Sequence, residues 1–200
     1  MTLDANSPKK WEADYQAKTD GWDLAGPTPA LRRLATSGRF PPGRMLVPCA
    51  GRGYDAREFA RHGFDVTAVD FSPTAIREMK RLADPEAPIE ILQHDMFTLP
   101  PAFDGSFDYV LQYTCFCAID PERREDYADL IARMLKPGGI YIDLAFPLDD
   151  RPGGPPFAVS DSEITALFEV RGFKLVSREK PEESVSPRRN VEELLIFRKT

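Results

Sequence analysis

The 200-residue sequence predicts an α/β protein with a mostly parallel sheet and helices on both faces. Three observations support this fold class. Short apolar runs alternate with helical patterns from residue 44 to residue 146, and the first run ends in the glycine turn Gly51-Arg52-Gly53. The last two apolar runs, 173–178 and 192–198, are joined by a polar loop that contains proline, so we expect them to pair antiparallel. The sequence therefore predicts seven strands, of which the last two form a hairpin.

Periodicity and caps place the individual elements. Pro29 begins a short helix that Gly38 ends, and Ser72 is the expected N-cap of the helix that follows the second strand. The first five predicted strands are 45–49, 65–69, 89–93, 107–113 and 140–146, and the predicted helices are 29–37, 55–62, 73–82, 121–135 and 161–170. The run Lys136-Pro137-Gly138-Gly139 is expected to end the fourth of these helices as a turn.

Three aromatic residues precede the first predicted strand. Trp11 and Tyr15 lie about one helical turn apart, and Trp22 follows in a Gly-Trp-Asp segment. Each of them could pack on the core as an ordinary buried aromatic, but the three together favour a cap over a binding site. We therefore predict a single domain over the whole chain, with residues 1–40 as an N-terminal cap and residues 44–200 as the core.

Composition restricts the partners of the chain. It carries 32 acidic and 26 basic residues, so its net charge of -6 repels nucleic acids and anionic membranes. The first ten residues lack the pattern of a signal peptide, and no apolar run approaches the roughly 20 residues that span a bilayer. Cys115 and Cys117 could form half of a metal site, but the sequence offers no second pair. These features predict a cytoplasmic protein without metal, nucleic acid or membrane association.

The glycine turn and the strand after it predict a nucleotide site. Gly51 and Gly53 allow the backbone to approach a ligand at the start of a helix. Asp70 follows the second apolar run, where its carboxylate can accept hydrogen bonds from both ribose hydroxyls. Asp70 could instead cap the next helix, but Ser72 already supplies that cap. The turn alone is compatible with a nicotinamide dinucleotide or with S-adenosylmethionine.

Residues outside the turn favour S-adenosylmethionine. Asp95 and Met96 end the third strand, where a carboxylate and a backbone amide could read the adenine ring. The faces of Trp11, Tyr15 and Trp22 would attract a sulfonium cation. A dehydrogenase normally needs a catalytic proton donor, whereas the two histidines of this chain lie at a helix end and a strand end. A nicotinamide oxidoreductase is therefore the less favoured interpretation.

Six segments, in order along the chain, carry a family resemblance. They are Trp11-x3-Tyr15-x6-Trp22-Asp23-Leu24, Leu46-Val47-Pro48, residues 112–119, Pro121-x2-Arg124-x2-Tyr127-Ala128, residues 135–139, and Phe146-Pro147 with residues 153–157. The chain resembles class I S-adenosylmethionine-dependent methyltransferases of the thiopurine methyltransferase superfamily, most closely their halide and thiol branch. The resemblance runs from about residue 11 to residue 173. It implies a Rossmann-like fold, with S-adenosylmethionine as cofactor and S-adenosylhomocysteine as product.

The resemblance also assigns roles to single residues. It implies cofactor contacts for Trp11, Tyr15, Trp22, Gly51, Asp70, Asp95, Met96 and Tyr113. It places Arg124 near the transfer site, although a surface ion pair with Glu122 or Asp126 would also explain this arginine. Tyr113 and Arg124 are the candidate catalytic residues. The sequence departs from the family pattern at two positions: Tyr15 stands where the halide branch usually has a second tryptophan, and Arg52 stands where glycine is common and is expected to be solvated.

The function implied by the resemblance is methyl transfer to a small anionic or thiol nucleophile by in-line displacement. Halide, thiocyanate, hydrosulfide and small thiols belong to this class of acceptor. One alternative is a thiopurine or metalloid methyltransferase of the same superfamily, which would need a wider acceptor pocket. An alternative of another class is a non-catalytic S-adenosylmethionine-binding module that recognises a protein. The expected partner is a small molecule or small anion, and the expected assembly is a monomer or weak dimer.

Overall fold

The computed structural model describes residues 7–200, in two compact units that divide between Leu99 and Pro100. The described elements of the first unit are α1 (Pro8–Ala17), α2 (Pro29–Thr36), β1 (Arg44–Pro48), α3 (Tyr54–Arg61), β2 (Asp65–Asp70), α4 (Pro73–Arg81) and β3 (Glu90–Gln93). Those of the second unit are β4 (Phe107–Tyr113), α5 (Arg124–Met134), β5 (Leu135–Ala145), α6 (Asp161–Glu169), β6 (Phe173–Glu179) and β7 (Glu193–Lys199). Every predicted helix and strand has a counterpart, with bounds that differ by one or two residues in most cases.

The first unit is built on three parallel strands in the order β3-β2-β1. β1 and β2 are buried along almost their whole length, as expected for parallel strands covered on both faces. Their register pairs Pro48 with Val69, and the register of β2 with β3 pairs Asp70 with Gln93. The carboxyl ends of the three strands therefore lie at one edge, where the glycine turn begins.

The second unit contains four strands in the order β4-β5-β7-β6. β4 pairs with β5 in parallel, whereas β7 pairs antiparallel with both β5 and β6. The predicted C-terminal hairpin is therefore confirmed, as is the predicted fold class with a mostly parallel seven-stranded sheet. Whether the chain acts as one domain with residues 1–40 as its cap stays a prediction.

The segment between α5 and β5 differs from the expected turn. β5 begins at Leu135, directly after α5, so the run from Lys136 to Gly139 lies within the strand. The strand pairing skips a register here, because Leu135 faces Phe107 while Ile140 faces Tyr109. Pro and Gly therefore mark an irregularity of the strand at this position rather than its boundary.

Two features of the described residues concern membranes and metal ions. Within residues 7–200, no helix is long and apolar enough to cross a membrane. In the same part of the chain, no three His, Cys, Asp or Glu side chains are grouped in a way that could hold a metal ion.

Candidate active site

Asp70 is the acceptor around which the glycine turn of the first unit is held. Its Oδ2 atom accepts a hydrogen bond from the Gly51 N–H at 2.9 Å, and its Oδ1 atom accepts one from the Ser72 N–H at 2.9 Å. Burial raises the pKa of Asp70 to about 6, although these two N–H groups act in the opposite direction. The Ser72 hydroxyl accepts from the Ala75 N–H, so the predicted helix cap is confirmed. Asp70 is therefore not the side-chain cap of α4.

The glycine turn has no room for side chains. The backbone angle φ is +56° at Gly51 and +70° at Gly53, a region that glycine adopts without strain. A Cβ atom on Gly53 would lie 2.8 Å from Cγ of Met79, and one on Gly51 would lie 3.1 Å from the Tyr15 hydroxyl. Both the backbone conformation and the packing of Tyr15 and Met79 therefore require glycine here, and close approach of a ligand to the turn stays a prediction.

The three N-terminal aromatics form one cluster in the first unit. The Trp22 ring contacts Trp11 edge-on with centroids 5.3 Å apart and Tyr15 with centroids 5.4 Å apart. The Trp22 side chain also forms a hydrogen bond with Tyr15, which is 6% exposed. Burial and the nearby Asp70 carboxylate raise the pKa of Tyr15. The structure thus brings these three predicted residues together and places the tyrosine hydroxyl beside the turn.

Glu12 is a residue of this region that sequence reasoning missed. Its carboxylate accepts hydrogen bonds from the hydroxyls of Ser72 and Thr74, each at 2.6 Å, and from the Thr74 N–H at 3.1 Å. Partial burial acts to raise the pKa of Glu12, but these hydrogen bonds outweigh it and lower the pKa to about 2. The partners lie 60 and 62 residues along the chain, at the start of α4, so no local pattern could reveal them.

The Glu12→Gln variant is expected to weaken the attachment of α1 in a pH-dependent manner. A carboxylate whose folded pKa is lowered to about 2 stabilises the fold above its ordinary pKa of 4.5 and loses that contribution as the pH falls toward 2. The difference in unfolding free energy between wild type and variant should be constant from about pH 8 to 5 and shrink below about 4.5. Urea unfolding followed by tryptophan fluorescence measures it. The exposed Glu86→Gln is the control, and a difference undiminished at about pH 3 would contradict the assignment.

Arg52 does not extend into solvent, so that expectation is wrong. Its guanidinium is 15% exposed and pairs with Asp20 at 2.5 Å, with Asp23 and with Glu78. It also lies over the Tyr15 ring, with the guanidinium carbon 5.4 Å from the centroid. The residue between the two glycines therefore ties the segment around Trp22 to the turn and to α4.

Asp95 and Met96 follow β3, at the same edge as Asp70. The Asp95 Oδ1 atom accepts from the Phe97 N–H at 3.0 Å and caps a short 3-10 turn over Met96–Thr98. The His94 N–H donates to the Asp70 carbonyl at 3.0 Å, which holds the end of β3 against β2. Among the described residues, the second carboxylate oxygen of Asp95 has no hydrogen-bond partner. One oxygen of Asp95 is therefore open to a ligand.

Tyr113 ends β4 in the second unit and is held by two charged residues. Its hydroxyl donates to Oε2 of Glu192 at 2.7 Å and accepts from Nη1 of Arg188 at 2.6 Å. The Arg188 guanidinium carbon lies 5.1 Å from the ring centroids of both Tyr113 and Phe146. Burial and the Glu192 charge raise the pKa of the Tyr113 phenol. Sequence reasoning missed Arg188 and Glu192, which lie 75 and 79 residues beyond Tyr113.

Arg124 has a different partner from either surface residue that the sequence offered. Its Nη1 atom donates to both carboxylate oxygens of Glu163, at 2.6 and 2.8 Å, and its Nη2 atom donates to the Ala158 carbonyl at 2.9 Å. The guanidinium also lies over the Phe116 ring at 4.9 Å, and the residue is 5% exposed. Arg124 therefore links the start of α5 to the start of α6 and to the segment before it.

A buried polar network supports the segment that follows Tyr113. Asp143 accepts hydrogen bonds from the Gln112 amide and from the Tyr141 hydroxyl, the latter at 3.1 Å. Gln112 in turn accepts from the N–H groups of Cys115 and Phe116, each at 3.2 Å. Burial raises the pKa of Asp143 to about 7, although its two hydrogen bonds act in the opposite direction. The network fixes the backbone immediately beyond Tyr113.

Comparison with solved structures identifies the fold. A structure solved in work on the conversion of a disulfide bond into a thioacetal group during echinomycin biosynthesis matches with a TM-score of 0.77 at 21% identity, covering 96% of this chain and 92% of that one. The Burkholderia thailandensis 1,6-didemethyltoxoflavin-N1-methyltransferase, bound to S-adenosylhomocysteine, matches with a TM-score of 0.70 at 22% identity, covering 100% and 93%. This is the Rossmann-like fold of S-adenosylmethionine-dependent methyltransferases.

Sequence comparison identifies the family. The model of the family described as thiopurine S-methyltransferase matches residues 6–198. The chain is 39% identical over 201 residues to probable thiol methyltransferase 2 of Arabidopsis thaliana, covering 99% of this chain and 88% of the relative. It is 34% identical over 187 residues to thiocyanate methyltransferase 1 of Brassica oleracea, covering 92% and 82%. The chain belongs to the thiopurine S-methyltransferase family.

Membership of this family settles the class of enzyme. The resemblance stated from the sequence motifs is confirmed, and the chain is a methyltransferase. The methyl donor of the family is S-adenosylmethionine, so the predicted cofactor is also confirmed. A thiopurine S-methyltransferase of Bos taurus is more distant, at 28% identity over 145 residues, covering 62% of this chain and 59% of the relative.

Proposed function

We propose that this protein transfers the methyl group of S-adenosylmethionine to a small anionic or thiol nucleophile. The observation that carries the proposal is the surroundings of Tyr113, where the buried cation of Arg188 lies against two aromatic rings. A second guanidinium, that of Arg151, lies 5.4 Å from the Phe146 ring and is paired with the Asp149 carboxylate at 2.5 Å. Positive charge beside apolar walls favours soft anions, which are attracted by the cations and easily desolvated.

The relatives support the same class of acceptor. The 39% identical relative is called a probable thiol methyltransferase, and a relative at 34% identity is called a thiocyanate methyltransferase. Halides and hydrosulfide are the further members of the proposed acceptor class, because they share the negative charge and the small size of thiocyanate.

The first unit carries the residues proposed to bind the cofactor. The buried carboxylate of Asp70 can accept from the ribose hydroxyls while it holds the turn, because each carboxylate oxygen can accept more than one hydrogen bond. The open oxygen of Asp95 can accept from the adenine amino group, next to Met96. The remaining proposed contacts are Gly51 and the aromatic cluster of Trp11, Tyr15 and Trp22. The bare turn, the buried carboxylate and the aromatic faces fit this cofactor.

The reaction needs positioning more than it needs acid or base chemistry. When bound, S-adenosylmethionine supplies an electrophilic methyl group on a sulfonium sulfur. The protein must hold an anionic acceptor in line with that methyl group and remove its water, which lowers the entropy and solvation parts of the barrier. We assign the holding of the acceptor to Tyr113 and Arg188. Arg124 is assigned a positioning role, because its guanidinium contacts Phe116 and is bonded to Glu163 and a carbonyl.

The wider setting of the protein belongs to the same proposal. The acidic net charge supports a protein that acts on a small molecule rather than on nucleic acid or a membrane surface. We infer a cytoplasmic, monomeric or weakly dimeric enzyme that acts as a single domain.

Incubation of the purified protein with S-adenosylmethionine and each of iodide, bromide, thiocyanate and hydrosulfide tests the proposal. Methylated volatile products should appear in the headspace, and S-adenosylhomocysteine should accumulate in equal amount. The Asp70→Asn variant is the negative control. Methylation of 6-mercaptopurine with no product from the four anions would instead indicate a thiopurine methyltransferase. Tight cofactor binding without any S-adenosylhomocysteine would indicate a non-catalytic module.

A further inference from the structure

The position of Glu192 in the second unit points to a route by which a protonated thiol acceptor loses its proton. We propose that Glu192 takes a proton through the Tyr113 hydroxyl, and that this relay lets the enzyme methylate neutral thiols as well as anions. The inference rests on the proposed function, because it assumes that Tyr113 holds the acceptor. It adds a proton path that halides and thiocyanate do not need.

Hydrogen bonds join Arg188, Tyr113 and Glu192 in a chain that runs from cation to carboxylate. Arg188 donates to the Tyr113 oxygen at 2.6 Å, and the Tyr113 hydroxyl donates its proton to Glu192 at 2.7 Å. Both distances are those of good charge-assisted hydrogen bonds. The hydroxyl proton therefore already points at the carboxylate, and the phenol oxygen can accept a further hydrogen bond from a thiol.

Burial of the Glu192 carboxylate costs free energy, because the charge is removed from water. Glu192 is 2% exposed and lies directly before β7, and Arg188 is 6% exposed. Replacement of buried charges of this kind by apolar residues is often neutral or stabilising, so stability alone is a weak reason to keep them. Here the hydroxyl of Tyr113 bonds to both charges, so a proton can move along the chain without exposure of either charge to water.

The relay is balanced in protons and electrons. A neutral thiol gives its S–H proton to the Tyr113 oxygen while the Tyr113 hydroxyl proton passes to Glu192, so the thiol becomes a thiolate and Glu192 becomes a carboxylic acid. The thiolate sulfur then forms a bond to the methyl carbon as the bond from that carbon to the sulfonium breaks. The electron pair of the broken bond stays on the cofactor sulfur, and Glu192 later releases its proton to solvent.

The Glu192→Gln variant tests the relay by comparing acceptors with and without a proton. The amide can still accept from Tyr113 but cannot take a proton. For 2-mercaptoethanol, which is protonated at pH 7, kcat/KM should fall by about 100-fold. For thiocyanate and iodide it should change by less than about threefold, since these acceptors need no base. An arenethiol that is already ionised at pH 7 should behave like thiocyanate.

The neighbouring Glu193→Gln is the matched control. Glu193 is the next residue along the chain and the first of β7, and its carboxylate lies 3.8 Å from Arg178. This variant should show no selectivity between the two classes of acceptor. An equal loss of thiol and thiocyanate activity in Glu192→Gln would show that Glu192 has a structural role, and it would overturn the relay. Full thiol activity in this variant would also overturn the relay. If the wild type methylates none of these acceptors, the proposed function fails, and the relay fails with it.

Discussion

We expect the Asp70→Asn variant to bind S-adenosylhomocysteine with a dissociation constant raised by about 100-fold, because the substitution would remove the proposed charge-assisted hydrogen bonds to the ribose, worth about 1.5–3 kcal/mol each. Asp70 is the buried carboxylate that also holds the N–H groups of Gly51 and Ser72, so the turn loses its acceptor as well. Isothermal titration calorimetry at about pH 7.5 measures the change directly, well above the Asp70 pKa of about 6.

Two controls separate this effect from loss of folding. Asp65→Asn makes the same change at the exposed opposite end of β2 and should leave the affinity unchanged. Because burial raises the Asp70 pKa to about 6, wild-type affinity should fall as the pH drops through that value, whereas the asparagine variant should show no such step. A folded Asp70→Asn protein that binds as tightly as wild type would rule out the ribose contact.

The Arg124→Gln variant should lose about 2 kcal/mol of unfolding free energy. This is less than the loss expected when a fully buried ion pair is broken, because Glu163 is partly exposed. Three hydrogen bonds from one buried guanidinium hold α5 to α6 and to the segment before it, and glutamine can replace few of them. Urea unfolding measures the loss. At a temperature where the variant is folded, kcat should stay within about twofold of wild type if the role is positioning alone.

Arg133 supplies the comparison for Arg124 on the same helix. Its pair with Asp104 is exposed at both ends, so Arg133→Gln should cost no more than about 0.5 kcal/mol. A large fall in kcat for Arg124→Gln at unchanged stability would instead support Arg124 as a catalytic residue and contradict the positioning role.

Features with local causes were predictable from the sequence. The Ser72 cap, the φ values at Gly51 and Gly53, and the hairpin of β6 and β7 each follow from a few neighbouring residues. The exception is the run from Lys136 to Gly139, where turn-forming residues lie within β5. Local turn chemistry was overridden there because the chain passes directly from α5 into the pairing of β5 with β4.

Side-chain partners distant in sequence were not predictable. The sequence pattern places Glu12 on the polar face of a helix, as it would any surface glutamate. Its partners at the start of α4 come close to it only in the folded chain. Arg188 lies in the polar stretch that predicts a loop, and Glu192 lies at the start of the last predicted strand, so nothing in the local pattern indicates their bonds to Tyr113. Arg52 was expected at the surface, and a surface ion pair was the alternative interpretation of Arg124, because charged residues usually lie there. The acids that pair with these two arginines lie elsewhere in the sequence.

The pairing of Arg52 restricts how this sequence can vary among its relatives. The carboxylates of Asp20, Asp23 and Glu78 are 10, 15 and 28% exposed beside Arg52, and glycine at position 52 would remove the cation that they share. Unpaired acids so close together repel each other and are poorly hydrated. Position 52 is therefore coupled to positions 20, 23 and 78: replacement of Arg52 by glycine should cost stability, and replacement of one or more of these acids by neutral residues should reduce that cost.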